Sequence, residues 1–235
     1  MVDSSLDSIE NGTMIINGVG SASERTEGMA WRKKKPGYIA SLNDAEIRCE
    51  TTPAKEMVQA YSRLLKNSGG TLPAFRDLDL REVRHAATHM ALCSIGIGDH
   101  CTIRFFGEEL KQRVGVDPVG RDFFDFVHAD RTDSIRQVME MLVSRPCGYL
   151  AKVRQEFASG RTIVVETVAL PLAPSRAGDD GQVVLTDTPT KFAGITLEKN
   201  KVLLSADVVQ RDLIDLGYGV DEDFEDLVSD ENRTV

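Results

Sequence analysis

Apolar positions along the chain change their period several times, and each change marks a predicted element. In "TTPAKEMVQAYSRLLKNSGG", Met57, Tyr61, Leu64 and Leu65 recur at helical spacing. Thr52 can cap the first turn, Pro53 sits where its missing N–H does no harm, and Gly69 and Gly70 stop the run. The pattern predicts an amphipathic helix within 51–70 whose stripe needs a surface, either its own domain or a second copy of the chain. "RDLDLREVRHAATHM" predicts another helix, capped by Asp77 or Asp79, with Leu80, Val83, Ala87 and Met90 inward. "ALCSIGIG" and "CTIRFF" then read as two strands around a tight turn at Gly98-Asp99-His100. Short helices follow over "EELKQRV" and "DFFDFV". A longer one covers "ADRTDSIRQVMEMLV", where Ile135, Val138, Met139 and Leu142 share a face and Pro146 ends the run. "GYLAKVRQEF" alternates with a period of two, Ser159-Gly160 turns the chain into "RTIVVETVALPL", and "QVVLTDT" is a last strand after a polar loop. "SADVVQRDLIDLGYG" predicts one more helix, capped by Ser205 and stopped by Gly217 or Gly219.

Two strands, a group of short helices and three strands make an α+β layout: an antiparallel sheet with its helices gathered in one crossover on one side. The chain divides into a mobile N-terminal arm over 1–50, the amphipathic helix over 51–70, the α+β domain over 71–192 and an acidic C-terminal extension over 193–235. The arm carries a short basic run, Lys33, Lys34 and Lys35, after the single Trp31.

Composition narrows the picture. With 41% hydrophobic residues among 235, the chain can bury a substantial core. A net charge of −9 argues against a general nucleic-acid binder, which needs clustered Lys and Arg, and suits solubility or a basic partner. No stretch approaches about 18 consecutive apolar residues, so no membrane association is expected, and "MVDSSLDSIENG" lacks the features of a secretory leader. Cys49, Cys93, Cys101 and Cys147 form no C-x-x-C and read as reduced, buried thiols of a cytoplasmic protein.

Five phrases carry a family resemblance: "LPAFRDLDLREV", "IRFFGEEL", "GVDPVGRDFFDFV", "VHADRTDSI" and "GDDGQVVLTDTPTKF". In this order they resemble the PAS superfamily of sensor and interaction domains, and more closely the family of short stand-alone bacterial PAS-like proteins. The resemblance covers roughly 60–192, and Ala129 stands where Pro is common in the family. It implies a PAS-like five-stranded antiparallel sheet with a helical crossover that walls an internal pocket. It also implies a non-catalytic regulatory role, as a small-molecule sensor and/or a protein-docking adaptor in bacterial signalling, with the helix ahead of the sheet pairing into a homodimer through Met57, Tyr61, Leu64 and Leu65. Gly107 and Gly120 suit sharp turns from strand to helix, and Asp130 can cap the long helix.

No catalytic motif is present: there is no G-x-S-x-G, no G-x-x-x-x-G-K-[ST], no H-E-x-x-H and no strand-linked G-x-G-x-x-G. His85 and His89 are spaced to share a helix face but lack a third ligand. His128 lies close to where some PAS domains hold haem iron, and the Asn-Cys-Arg phrase of flavin photoreceptors is missing from the crossover. No cofactor and no metal are therefore expected. Arg104 and Arg121, inside the phrases that carry the resemblance, are the candidates for binding an anionic ligand such as a carboxylate; Arg154 is weaker. In the acidic extension Phe224, Leu227 and Val228 are spaced to share one helical face, either to dock a partner, expected among other signalling proteins, or to mask the domain; the other reading is a tail that only solubilises the chain. The alternative is a small enzyme or a metabolite or lipid carrier using the internal cavity of the same α+β sheet.

Overall fold

The computed structural model describes residues 37–96, 100–127, 129–190 and 203–220. Their elements are β1 (Gly37–Ile39), α1 (Leu42–Arg48), α2 (Thr52–Asn67), α3 (Arg84–Ala87), β2 (Met90–Gly96), β3 (His100–Phe106), α4 (Glu108–Val114), α5 (Ala129–Ser144), β4 (Cys147–Phe157), β5 (Thr162–Leu172), β6 (Asp179–Pro189) and β7 (Leu203–Asp215). Short 3₁₀ turns lie at Phe75–Asp77 and Phe123–Phe126. The strands form one sheet in the order β1-β7-β4-β5-β6-β2-β3. Every pairing is antiparallel except the parallel pair β1–β7.

Strands β2 to β6, with the helical crossover between β3 and β4, are the expected α+β core, and the fold is PAS-like. The sheet is wider than predicted. Residues 203–215 form β7 rather than a helix, hydrogen-bonded to β4 along its length. The reason is two-sided burial: Leu213 faces one side of the sheet and Ile214 the other, so the segment carries no clean alternation. Residues 37–48, expected within the mobile arm, supply β1 and α1.

Helices cover both faces, not one. Strands β2 and β4–β7 alternate between two apolar surfaces. Leu92, Leu150, Val168, Leu170, Val184 and Ile214 meet α1 and α2, with Met57, Val58 and Tyr61 among the fully buried residues. Ile95, Cys147, Ala169, Val183 and Leu213 meet α5, through Val138, Met139 and Leu142. An apolar sheet has two faces to remove from water, at roughly 25 cal/mol per Å², and each helical layer removes one.

Helix α2 begins at Thr52, and its cap is Thr51, whose hydroxyl accepts the Ala54 N–H at 3.4 Å. Tyr61 donates its hydroxyl to the Pro171 carbonyl of β5 at 2.7 Å. Met57 and Tyr61 are thus spent inside the chain. The burial that their stripe requires comes from its own sheet, and the need for a second copy to cover them is removed. Leu65 packs at the edge of the same cluster, and Leu64 is half-buried.

The helix predicted over 76–90 is reduced to a 3₁₀ turn and the four-residue α3. The Asp79 carboxylate accepts the Arg81 N–H at 2.9 Å, which closes a local turn in competition with the helix ladder. Past α3, the chain is pinned by Gly107: its N–H donates to the Met90 carbonyl at 2.8 Å, and an added Cβ would lie 2.3 Å from the Thr88 oxygen. Only glycine permits that approach. At the other predicted turn, Gly120 adopts φ +86° and lets its N–H reach the Ile103 carbonyl at 2.8 Å. The long helix α5 starts at Ala129, which places Asp130 in its first turn rather than at the cap.

Candidate functional site

The crossover face of the sheet is apolar at its centre and polar towards the far ends of β4 and β6. Alternation puts Gln155 of β4, Thr167 of β5 and Asp187 of β6 on this face, beside Ala169, Val183 and Leu185. Gln155 and Thr167 are buried, and Asp187 and Arg113 of α4 nearly so, at 18% and 12% exposure.

Asp187 is the centre of this group. Its Oδ2 receives Arg113 at 2.9 Å and the Gln155 amide N–H at 2.9 Å. Its Oδ1 receives the Thr167 hydroxyl at 3.4 Å. Arg113 also donates to the Asp187 carbonyl at 3.1 Å, and the Asp187 N–H donates to the His89 carbonyl at 2.9 Å. Both carboxylate oxygens are engaged, so Asp187 is held as an anchor. Gln155 Oε1 and Arg113 Nε are buried without a hydrogen-bond partner among the described residues. A buried polar atom left unpaired costs about 1–3 kcal/mol, so the cluster presents an acceptor and a donor set to receive a polar group.

His89 lies at the margin of the cluster. Burial holds its imidazole below the ordinary histidine range, the Arg113 charge adds to this, and Glu109 and Asp187 oppose it. Its Nδ1 is likewise buried and unpaired among the described residues. Towards α5 the lining is aromatic. Phe123 and Phe124 meet edge to face at 5.9 Å, the Arg136 guanidinium lies 4.3 Å over the Phe124 ring, and that of Arg211 5.2 Å over Tyr149.

The residues singled out from sequence are not brought together. Arg104 points to the opposite face of the sheet, where its Nε donates to the Ser94 hydroxyl at 3.1 Å. Arg121 is on the surface, 3.7 Å from Asp125 and stacked over Phe126 at 4.5 Å. Arg154 pairs with Asp207 at 3.1 Å. His85 and His89 diverge because α3 ends at Ala87: His85 is bound to Glu56 of α2, whereas His89 turns towards Arg113. Among the described residues no group of three or more His, Cys, Asp and Glu is placed to hold a metal ion, and no helix is long and apolar enough to cross a membrane. His128, Lys33 to Lys35, and the candidates Phe224, Leu227 and Val228 lie outside the described residues.

All four thiols are buried and free. A hydrogen bond with Cys101, then burial, pushes the Cys93 thiol well up; burial pushes Cys49 up to about 12 and Cys147 up to about 11. In all three, burial disfavours the thiolate, the reactive form of a cysteine.

Sequence reasoning missed Asp187, Gln155, Thr167 and Arg113. A signal existed: Thr167 interrupts the apolar run of "RTIVVETVALPL", and Asp187 interrupts that of "QVVLTDT". A polar residue inside a strand buried on both faces needs a partner there.

No family model matches the sequence, and no curated protein does. Solved structures that are similar to it include the LOV domain of the blue-light photoreceptor Aureochrome1, at 11% identity over 66% of this chain and 98% of that one, with a TM-score of 0.33. A PAS domain from Colwellia psychrerythraea is 13% identical over 48% of this chain and 98% of that one, with a TM-score of 0.33. The VqmA dimer protein of Vibrio cholerae is 12% identical over 48% of this chain and 52% of that one, with a TM-score of 0.34. The assignment of a PAS-like fold rests on the order of the elements and the connectivity of the sheet.

Proposed function

We propose that the chain is a non-catalytic regulatory module that receives a small polar molecule between the sheet and the helical crossover and passes the signal on by a protein contact. The observation that carries this reading is the Asp187–Arg113–Gln155–Thr167 cluster, with Gln155 Oε1 and Arg113 Nε buried and unpaired. A ligand with one donor and one acceptor satisfies both atoms and gains at the edge of an apolar, aromatic-lined surface. The closed state of Asp187, engaged at both oxygens, favours recognition over proton transfer. For the output we propose the acidic stretch holding Phe224, Leu227 and Val228, whose apolar side chains supply anchors and whose charge steers a basic partner.

A native mass spectrum of the protein purified from its own source tests the first part. The expected result is a small molecule bound to wild type and absent from Gln155→Leu. Equal loading of both, or neither loaded and no compound raising the Tm of wild type above that of the variant, overturns it. Pull-downs comparing full-length chain with Phe224→Ala test the output: loss of a partner is expected, and identical recovery removes the tail from the reading.

A further inference from the structure

A second polar cluster lies on the other face of the sheet, at its β2–β3 edge, away from the crossover. Ser94 of β2 and Gln182 of β6 are cross-strand partners, and both are buried, at 1% and 2% exposure. The Ser94 hydroxyl accepts from two sides: from Gln182 Nε2 at 3.0 Å and from Arg104 Nε at 3.1 Å. Arg104 comes from the point where β3 is irregular against β2, which turns its side chain to this face. The other edge of its guanidinium approaches Asp179, with NH2 4.0 Å from Oδ1. That is the outer limit of an ion pair, and Asp179 is itself only 10% exposed.

Two oxygens in this cluster are buried with no hydrogen-bond partner among the described residues: Gln182 Oε1 and Asp179 Oδ2. Both are acceptors. A carboxylate oxygen withdrawn from water and left unpaired is more costly than a neutral one. Arg104 remains 29% exposed, so the cluster opens to solvent at its cationic end. The cluster therefore joins a guanidinium that reaches solvent to two buried acceptors, one of them charged.

We infer that Arg104, Ser94, Gln182 and Asp179 form a ligand site for a small zwitterion, a free α-amino acid. The ligand carboxylate lies on the outer edge of the Arg104 guanidinium, whose planar fork matches two oxygens. The ligand ammonium donates to Asp179 Oδ2 and Gln182 Oε1. Ser94 is the positioning residue: by accepting from both Arg104 and Gln182 it fixes the guanidinium and aims the amide oxygen inward. Charge is balanced in the complex, one cation and one anion on each side. An anion alone leaves the Asp179 acceptor unpaired, and an amine alone must compete with Arg104 for Asp179. The site is separate from the crossover cluster, on the opposite face of the sheet, and does not depend on the function proposed for that cluster.

Titration calorimetry of the full-length protein with each proteinogenic L-α-amino acid tests this, alongside the matching carboxylic acid and amine that each lack one charged group. At least one amino acid is expected to bind with a Kd below about 1 mM, with both one-charge analogues at least about tenfold weaker. Arg104→Gln and Asp179→Asn are each expected to weaken that binding at least about tenfold, while Gln155→Leu leaves it unchanged. Asp179→Asn preserves shape and remains informative if Arg104→Gln fails to fold. The inference is overturned if no amino acid binds in that range, if a one-charge analogue binds equally well, or if Asp179→Asn binds as wild type does.

Discussion

Glu166 and Thr51 are joined twice: the carboxylate of Glu166, at 0% exposure in β5, accepts both the backbone N–H and the hydroxyl of Thr51 at 2.7 Å. The Glu50 N–H at 2.8 Å and Lys152 Nζ at 3.1 Å complete its coordination. One buried side chain therefore ties the N-terminus of α2 to the middle of the sheet, where the helix's first N–H groups would otherwise lack partners. Removing it strands the Glu50 and Thr51 N–H groups and leaves Lys152 with the Glu50 carboxylate alone, at 2.9 Å. Glu166→Ala is expected to cost about 3–5 kcal/mol in urea unfolding, and to speed amide exchange at Thr51, Thr52 and Ala54 before that of β5. Uniform acceleration across the sheet would show that the contact is not a local tether.

Met57 separates an intrachain role for the α2 stripe from an interchain one. With 1% exposure against the chain's own sheet, Met57→Ala is expected to lower unfolding stability by about 2–5 kcal/mol at any protein concentration. A loss of stability that disappears on dilution would instead mean that a second copy covers the stripe.

His89 predicts a dependence on pH. Burial first, then Arg113, hold its folded value below the ordinary one, against Glu109 and Asp187. The unfolded chain takes up a proton near the ordinary histidine value of about 6.5, so it binds more protons than the native state there. This contribution is present above that pH and is lost as the pH falls below it. His89→Gln is expected to flatten the slope of stability against pH between about 5.5 and 7; an unaltered slope assigns the effect elsewhere. Glu56 acts lower on the scale. Burial pushes its carboxyl up, but the hydrogen bonds from the His85 ring and from the N–H groups of His85 and Ala86 outweigh this and hold it down. Its contribution is therefore lost only as the pH falls through the carboxylate range.

Gln155 and Asp187 should respond differently to truncation although they touch. Gln155→Leu removes a hydrogen bond to a carboxylate, worth about 1.5–3 kcal/mol, and also removes an unpaired buried oxygen that costs about 1–3 kcal/mol. The two nearly cancel, so stability should change by less than about 1 kcal/mol while ligand loading falls. Asp187→Ala leaves Arg113 buried without its counter-charge and is expected to cost about 3 kcal/mol or more. Equal losses in chemical denaturation would contradict this division of roles.

Much of the fold was readable where the pattern is local. The period of "EELKQRV" matches α4, Ile135, Val138, Met139 and Leu142 do face the sheet, and the Ser159-Gly160 turn joins β4 to β5. What escaped was non-local. In β7, Arg211 and Asp212 are polar and yet buried, Arg211 over the Tyr149 ring and Asp212 against the Gly37 N–H, so the strand mimics the polar stripe of a helix. Its partners lie far away in sequence, and a local window cannot see them. The same holds for the crossover cluster, which joins α4 to three strands. Arg104 was noticed for its charge, but its partners Ser94, Gln182 and Asp179 depend on strand register, which poor alternation in β2 and β3 left open.

The parallel pair β1–β7 has a consequence in time. Gly37 and Asp212 hydrogen-bond across 175 positions, so one corner of the sheet is built from opposite ends of the described chain. A ribosome releases β1 and α1 long before β7 exists to receive them, while β2 to β6 can already pair with one another. During synthesis the five inner strands can close first, with the free flank of β4 standing open as an unpaired edge until the last strand arrives. In that interval the nascent chain offers a strand-shaped vacancy on β4, and a chaperone or a neighbouring nascent copy is the competitor that β7 must outrun.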